Sequence, residues 1–189
     1  DRVAKIKVIQ KMISGCRRCE LRKSTEPVTP YIPKIKPKAV FITTNPAKIE
    51  SQVGVPLHSL SKGGKLFSKY LDILGLDRDE VYISNLVHCR DKISKVIIHS
   101  NLSKCALWKY VEFDLIDIPK YIFVLGSYPL KMFMGLNYNK ILKIHGEIYY
   151  GRFRNQNVYI IPLLHPGYIL RQSEYRDFVE NILIFGGIL

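Results

Sequence analysis

Short apolar runs, each followed by a stretch of helical periodicity, recur along most of this chain, and that alternation restricts the fold more than any other feature. Ala39-Val40-Phe41-Ile42-Thr43, Val81 to Val87, Tyr121 to Gly126 and Asn157 to Leu164 have strand length and are rich in β-branched and aromatic residues. Between and after them, helices are predicted over 65–74 (Leu66, Phe67, Tyr70, Leu71 and Leu74, closed by Gly75), 102–117 (halted before Pro119), 128–134 and 173–185. Strands buried on both faces read as continuous apolar runs, so the pattern predicts an α/β fold. It is a single three-layer α/β/α domain with a central, mostly parallel, four-stranded sheet. The segment 144–153 reads as a hairpin or edge strand. Residues 3–14 carry apolar positions at helical spacing, and Glu26 to Pro37 holds four prolines, which makes it an extended connector. Residues 1–37 are thus expected to form an arm packed on a sheet domain spanning 38–189. A chain of 189 residues supplies one core of ordinary size, so 1–189 reads as one domain.

In open parallel sheets, ligands bind beyond the carboxyl ends of the strands. The polar residues that directly follow the apolar runs are the site candidates: Thr44 and Asn45, Asn85 and His88, Ser127, and His165. The chain carries 29 Lys and Arg against 16 Asp and Glu, a net charge of +13. A surplus of that size on a small domain favours a polyanionic partner, because neutralising phosphates releases condensed counterions. The positive residues sit among structured segments and not in a low-complexity tail, which fits a shaped basic face. No apolar run approaches the roughly 20 residues of a membrane span, and the first residues lack a signal-peptide core. The expectation is an intracellular protein, cytoplasmic or nucleoid-associated, monomeric and without a membrane partner.

The four cysteines are Cys16, Cys19, Cys89 and Cys105. Cys16 and Cys19 form a C-x2-C pair, a spacing that lets two thiolates bind one metal centre from a single turn. An intracellular chain disfavours a disulfide. Zinc sites usually use two tight pairs, whereas Cys89 and Cys105 are far apart in sequence. Spacing alone leaves zinc and an iron–sulfur cluster both open.

From Cys16 to about Ile182 the chain resembles the family 4 uracil-DNA glycosylases. The resemblance rests on Cys16-Arg17-Arg18-Cys19-Glu20-Leu21-Arg22, on Ser84-Asn85-Leu86-Val87-His88-Cys89-Arg90, on Cys105 opening a helix, on Leu125-Gly126 ending a strand, and on His165-Pro166-Gly167-Tyr168-Ile169-Leu170-Arg171. It implies a [4Fe-4S] cluster on Cys16, Cys19, Cys89 and Cys105, with zinc as the alternative. It implies DNA as the partner, with replication or repair proteins as further candidates. It also implies hydrolysis of the N-glycosidic bond of uracil or a related damaged base. His165 would then hydrogen-bond the uracil oxygen where charge builds as the bond breaks, and Asn85 would read the Watson–Crick edge with an amide that both donates and accepts. Ile169, Leu170 and Arg171 suit a minor-groove wedge with a phosphate contact. Ser61, Lys62 and Lys65, at a helix start, suit a phosphate grip.

The chain departs from the family pattern after its first strand. Thr43-Thr44-Asn45-Pro46-Ala47 replaces G-E-x-P-G, so Thr44 stands where the family has its acid. Leu57 replaces the phenylalanine that stacks on uracil. Asn45 occupies the place where other branches of the superfamily carry an asparagine before proline, and it is the candidate for placing water. Two functions follow: a working glycosylase using Asn45, Asn85 and His165, or a catalytically degenerate relative that binds DNA or a replication protein.

Overall fold

The sheet has five strands, one more than the apolar runs predict. In the computed structural model, which describes residues 2–91, 96–136 and 140–185, they are β1 (Ala39–Thr43), β2 (Val81–Asn85), β3 (Tyr121–Leu125), β4 (Tyr149–Phe153) and β5 (Gln156–Leu163), in the spatial order β2-β1-β3-β5-β4. Four run parallel; β4 pairs antiparallel with β5 through a tight hairpin at Arg154 and Asn155, both at positive φ. The extra strand corrects the expected count for a physical reason. β4 lies at the sheet edge with half-buried and exposed residues alternating, so its sequence never forms an apolar run.

Helices cover both faces: α1 (Arg2–Ser14), α2 (Lys48–Val53), α3 (Lys62–Ile73), α4 (Val96–Leu115), α5 (Ser127–Met134), α6 (Ile141–Ile144), α7 (Pro166–Ile169) and α8 (Arg176–Phe185). Three of them, α2, α6 and α7, are under two turns long and leave no periodic signal. None of the described helices is long and apolar enough to cross a membrane.

On one face Phe41 of β1 stacks on Phe123 of β3 at 4.5 Å and meets Phe67 of α3 edge-on at 5.0 Å. α7 and α8 pack against α3 on that side. On the other face α4 lies over β2, and α1 packs along α4 with Ile9 and Ile13 fully buried. The proline-rich connector runs beside β2. Tyr31 exchanges two backbone hydrogen bonds with Ile83, at 2.8 and 3.0 Å, and Val28 N–H donates to His88 at 2.8 Å. This covers the edge that β2 would otherwise expose.

Under α4 the core is polar. Lys109 and Glu112 pair there, 1% and 0% exposed, with Tyr82, Ser84 and His88 around them. Lys109 Nζ donates to Ser84 Oγ at 2.5 Å, and Glu112 accepts from the Tyr82 hydroxyl and contacts His88 Nε2 at 2.9 Å. His88 Nδ1 reaches the Val28 carbonyl at 2.8 Å, so the network also ties down the connector.

Candidate active site

The carboxyl ends of the parallel strands bring Asn85 and His165 around Thr43, whereas His88, also expected there, turns into the polar core beneath α4. Thr43 and Asn85 are register partners on β1 and β2, so their side chains leave the sheet on the same face. His165 follows β5, and its Nε2 lies 2.7 Å from the Thr43 hydroxyl. Gly126, at φ 95°, admits this segment: a Cβ there would sit 3.4 Å from that of His165. Past β2, Leu86 and Val87 still donate backbone hydrogen bonds to Thr43 and Thr44, which joins the two strand ends rigidly.

The protonation state of His165 follows from its bonds. Its Nδ1 accepts the Gly167 N–H at 3.0 Å, so in the neutral ring the proton resides on Nε2, which donates to Thr43. Burial, with the Arg171 guanidinium adding to it, pushes the imidazole pKa down to about 4. The ring is therefore neutral at physiological pH. An unfolded chain takes up this proton near the ordinary value of about 6.5. The unfolded state is thus favoured as pH falls, and the stability tied to this residue, intact above that value, is lost between there and about 4. Urea midpoints of wild type should accordingly drop more from pH 7 to pH 4.5 than those of His165→Asn. Parallel drops would contradict the assignment.

Asn85 presents the other half of the site. It is 1% exposed, and among the described residues neither its amide nitrogen nor its amide oxygen has a hydrogen-bond partner. A buried amide without partners costs on the order of 1–3 kcal/mol, so this position is adapted to something other than the fold alone. Asn45 is half-buried on the loop after β1, with a long 3.4 Å contact from its own amide to the Pro46 carbonyl.

The neighbouring loop differs from its sequence reading in two respects. Ser61 is buried, caps α3 by accepting the Gly64 N–H at 2.9 Å and hydrogen-bonds Glu50, so its hydroxyl is engaged inside the loop and does not grip a phosphate. Ile169 is 1% exposed and belongs to the core, which removes it from the wedge; Leu170, 43% exposed, and Arg171 remain outside. The reason is the α7 turn, which directs one apolar residue inward and the next outward. Lys62 and Lys65 are exposed on the first turn of α3, and a Cβ placed on Gly63 would meet the Gly167 nitrogen at 3.9 Å, so both basic elements border the His165 segment. Leu57 is buried at positive φ beside the α3 start, where Gly64 is obligatory because a Cβ would come within 2.0 Å of the His58 carbonyl.

Sequence reasoning missed Glu50. It is 4% exposed, accepts the Ala47 N–H at 3.0 Å, and with Arg78, which donates to the Leu57 and Pro56 carbonyls, locks the loops around the cleft. Burial raises its pKa, with the hydrogen bonds opposing. A lone acid in a short helix gives no warning of this role.

All four cysteines are free thiols. Cys89 and Cys105 are each 5% exposed. Burial first, then the nearby Cys19 and other thiols, push Cys89 up to about 12; burial likewise pushes Cys105 up to about 11, with Cys19 and Cys16 contributing. Among the described residues, however, no three His, Cys, Asp or Glu side chains are close enough to hold a single ion. A groove of about 540 Å³ opens beside Cys19, lined by Arg17, Arg18, Arg22, Lys23 and Lys104 together with Glu20 and Glu26.

The carboxyl edge of the five-stranded sheet thus collects Thr43, Asn85 and His165, and comparison with known proteins gives the family of this frame. The sequence profile of the uracil DNA glycosylase superfamily matches residues 29–183, and the chain belongs to that family. It is similar to the type-4 uracil-DNA glycosylase of Sulfurisphaera tokodaii, 29% identical over 177 residues, covering 92% of this chain and 79% of that protein. The type-4 uracil-DNA glycosylase of Archaeoglobus fulgidus is 26% identical over 176 residues, 92% of this chain and 87% of its own. That of Pyrobaculum aerophilum is 25% identical over 183 residues, 95% and 92% respectively.

Proposed function

We propose that this protein is a uracil-DNA glycosylase that hydrolyses the bond between uracil and deoxyribose, leaving free base and an abasic site. The observation that carries this reading is the orphaned amide of Asn85, buried on the sheet face that also presents the Thr43–His165 pair. A flipped uracil offers an imide N–H and a carbonyl oxygen on its Watson–Crick edge, and one amide matches both. As the C1′–N1 bond breaks, negative charge moves onto the uracil oxygens. His165, neutral with its proton on Nε2, donates there by exchanging Thr43 for the base. Water completes the reaction at C1′, with Asn45 the residue that orients it and no carboxylate at Thr44. Leu57 packs under the base pocket. Leu170 fills the space left in the helix, while Arg171, Lys62 and Lys65 hold the backbone phosphates. Uracil release from a defined oligonucleotide, compared between wild type and Asn85→Ala, tests the recognition step.

Cys16, Cys19, Cys89 and Cys105 would hold the [4Fe-4S] cluster. The chemistry of the donors supports this reading: four cysteines, two of them buried thiols that ionise only at high pH without a cationic centre, lie near a groove basic enough to offset a cluster of net negative charge. When bound, the cluster acts as a cross-link joining the arm, the segment after β2 and α4. Anaerobically purified protein is expected to be brown with about four irons. Cys105→Ser should bleach it and lower its melting temperature. One zinc and no iron in native material would overturn the cluster.

A further inference from the structure

Far from the cleft, three tyrosines line up across the sheet. Tyr121 opens β3, Tyr159 is its register partner on β5, and Tyr150 is the partner of Tyr159 on β4. Register partners share a face, so the rings form a continuous row. Tyr121 and Tyr159 stack at 5.5 Å, and Tyr150 lies 5.5 Å from Tyr159 with its ring tilted. The outermost ring, Tyr150, is 65% exposed. The Lys120 ammonium sits 4.7 Å over Tyr159 and 5.9 Å from Tyr121, and Arg152, two residues along β4 from Tyr150, is exposed on the same face. Neither cation has a carboxylate partner among the described residues.

This row has no task in excision. Tyr159 is six residues before His165 along β5, on the order of 20 Å at strand rise, and Tyr121 lies at the amino end of its strand. Tyr121 and Tyr159 are half-buried against the core while Tyr150 stands out into solvent, and the chemistry of this aromatic edge specifies what covers it. Rings on adjacent strands take successive unstacked bases face to face, as sheet-based single-strand binders do, and flanking cations take the phosphates between them. An overall charge of +13 selects a polyanion over a neutral apolar partner. We infer that Tyr121, Tyr150 and Tyr159, with Lys120 and Arg152, form a second nucleic-acid site that stacks the bases of single-stranded DNA. The inference rests on the DNA-directed reading above, and it gives the protein a grip on unpaired strand beyond the nucleotide in the cleft.

The test measures binding alone. Full-length protein is titrated with a fluorescent oligothymidylate and with a deoxyribose-phosphate oligomer of equal length that has phosphates but no bases. Each base stacked on an aromatic ring strengthens single-strand binding by about an order of magnitude, so Tyr150→Ala should bind oligothymidylate about tenfold more weakly. It should bind the abasic oligomer as wild type does, and Tyr150→Phe, which keeps the ring, should behave as wild type on both. Tyr150 is exposed on an edge strand, so its replacement leaves the core intact. Unchanged oligothymidylate affinity in Tyr150→Ala, or an equal loss on both oligomers, overturns the stacking site. Uracil release by the same variant is read separately. Wild-type excision with no Tyr150 effect defeats only this inference, and a Tyr150 effect without any excision defeats only the enzymatic reading.

Discussion

Lys109→Met is expected to destabilise the protein by about 3–5 kcal/mol, a large share of what holds a domain of this size together. Lys109 and Glu112 are 1% and 0% exposed, and each makes the other's charge tolerable. Burial alone would raise the Glu112 pKa, but Lys109 and then His88 outweigh it and hold the carboxyl at about 2. Burial lowers the Lys109 pKa, with Glu112 opposing. Methionine matches the length of the lysine stem but leaves Glu112 as an uncompensated charge beneath α4. It also frees Ser84, which lies directly before Asn85, and strips the support from His88, which lies directly before Cys89. The double variant Lys109→Met/Glu112→Leu should recover most of the loss, because an apolar pair of similar volume removes both desolvation costs. Urea denaturation of the three proteins at one pH measures this. A single-variant loss below about 1 kcal/mol would mean that the pair is solvated or otherwise relaxed.

His165→Ala is expected to reduce the rate of uracil release on the order of 100- to 1000-fold while leaving DNA affinity nearly unchanged. The reasoning is differential. In the resting protein the Nε2 proton is shared with Thr43 at 2.7 Å, so ground-state binding gains little from it. Its interaction strengthens only as the leaving base becomes negative, so its loss falls on the chemical step. Single-turnover rates at saturating protein, set beside Kd from anisotropy, separate the two. Loss of binding in proportion to rate would assign His165 to DNA contact. Thr43→Val offers a milder comparison: it removes the resting partner but not the donor, and should retain far more activity than His165→Ala.

The parts of this molecule legible in its sequence are those with local causes. The four parallel strands announce themselves because burial on both faces makes them continuous apolar runs, and their polar successors Asn85 and His165 follow from the rule that ligands bind beyond the carboxyl ends. β4 is legible only as a hairpin or edge strand somewhere in 144–153, outside the strand count, because an edge strand alternates; the short helices α2, α6 and α7 escape because they are under two turns long. Ile169 misleads because an apolar residue beside a basic one fits a wedge as well as a core; only the handedness of the α7 turn decides. Glu50, Lys109 and Glu112 are invisible for a different reason. Charged residues in helical segments read as solvent-facing, and what buries them is tertiary: Arg78 with two loops for Glu50, and β2 with the connector for the Lys109 pair. The same holds for the tyrosine row, whose members are separated in sequence and meet only through strand register.

The site around Asn85 and His165 is expected to excise uracil even though Thr44 stands in place of an acid. The most direct measurement incubates iron-loaded wild-type protein with end-labelled single- and double-stranded oligonucleotides carrying one uracil, followed by alkaline cleavage at abasic sites. The expected result is a break at the uracil position, none in a thymine control, and near-complete loss of the break with His165→Ala. A wild-type protein that holds its cluster and binds both oligonucleotides, yet leaves every uracil in place, would contradict it.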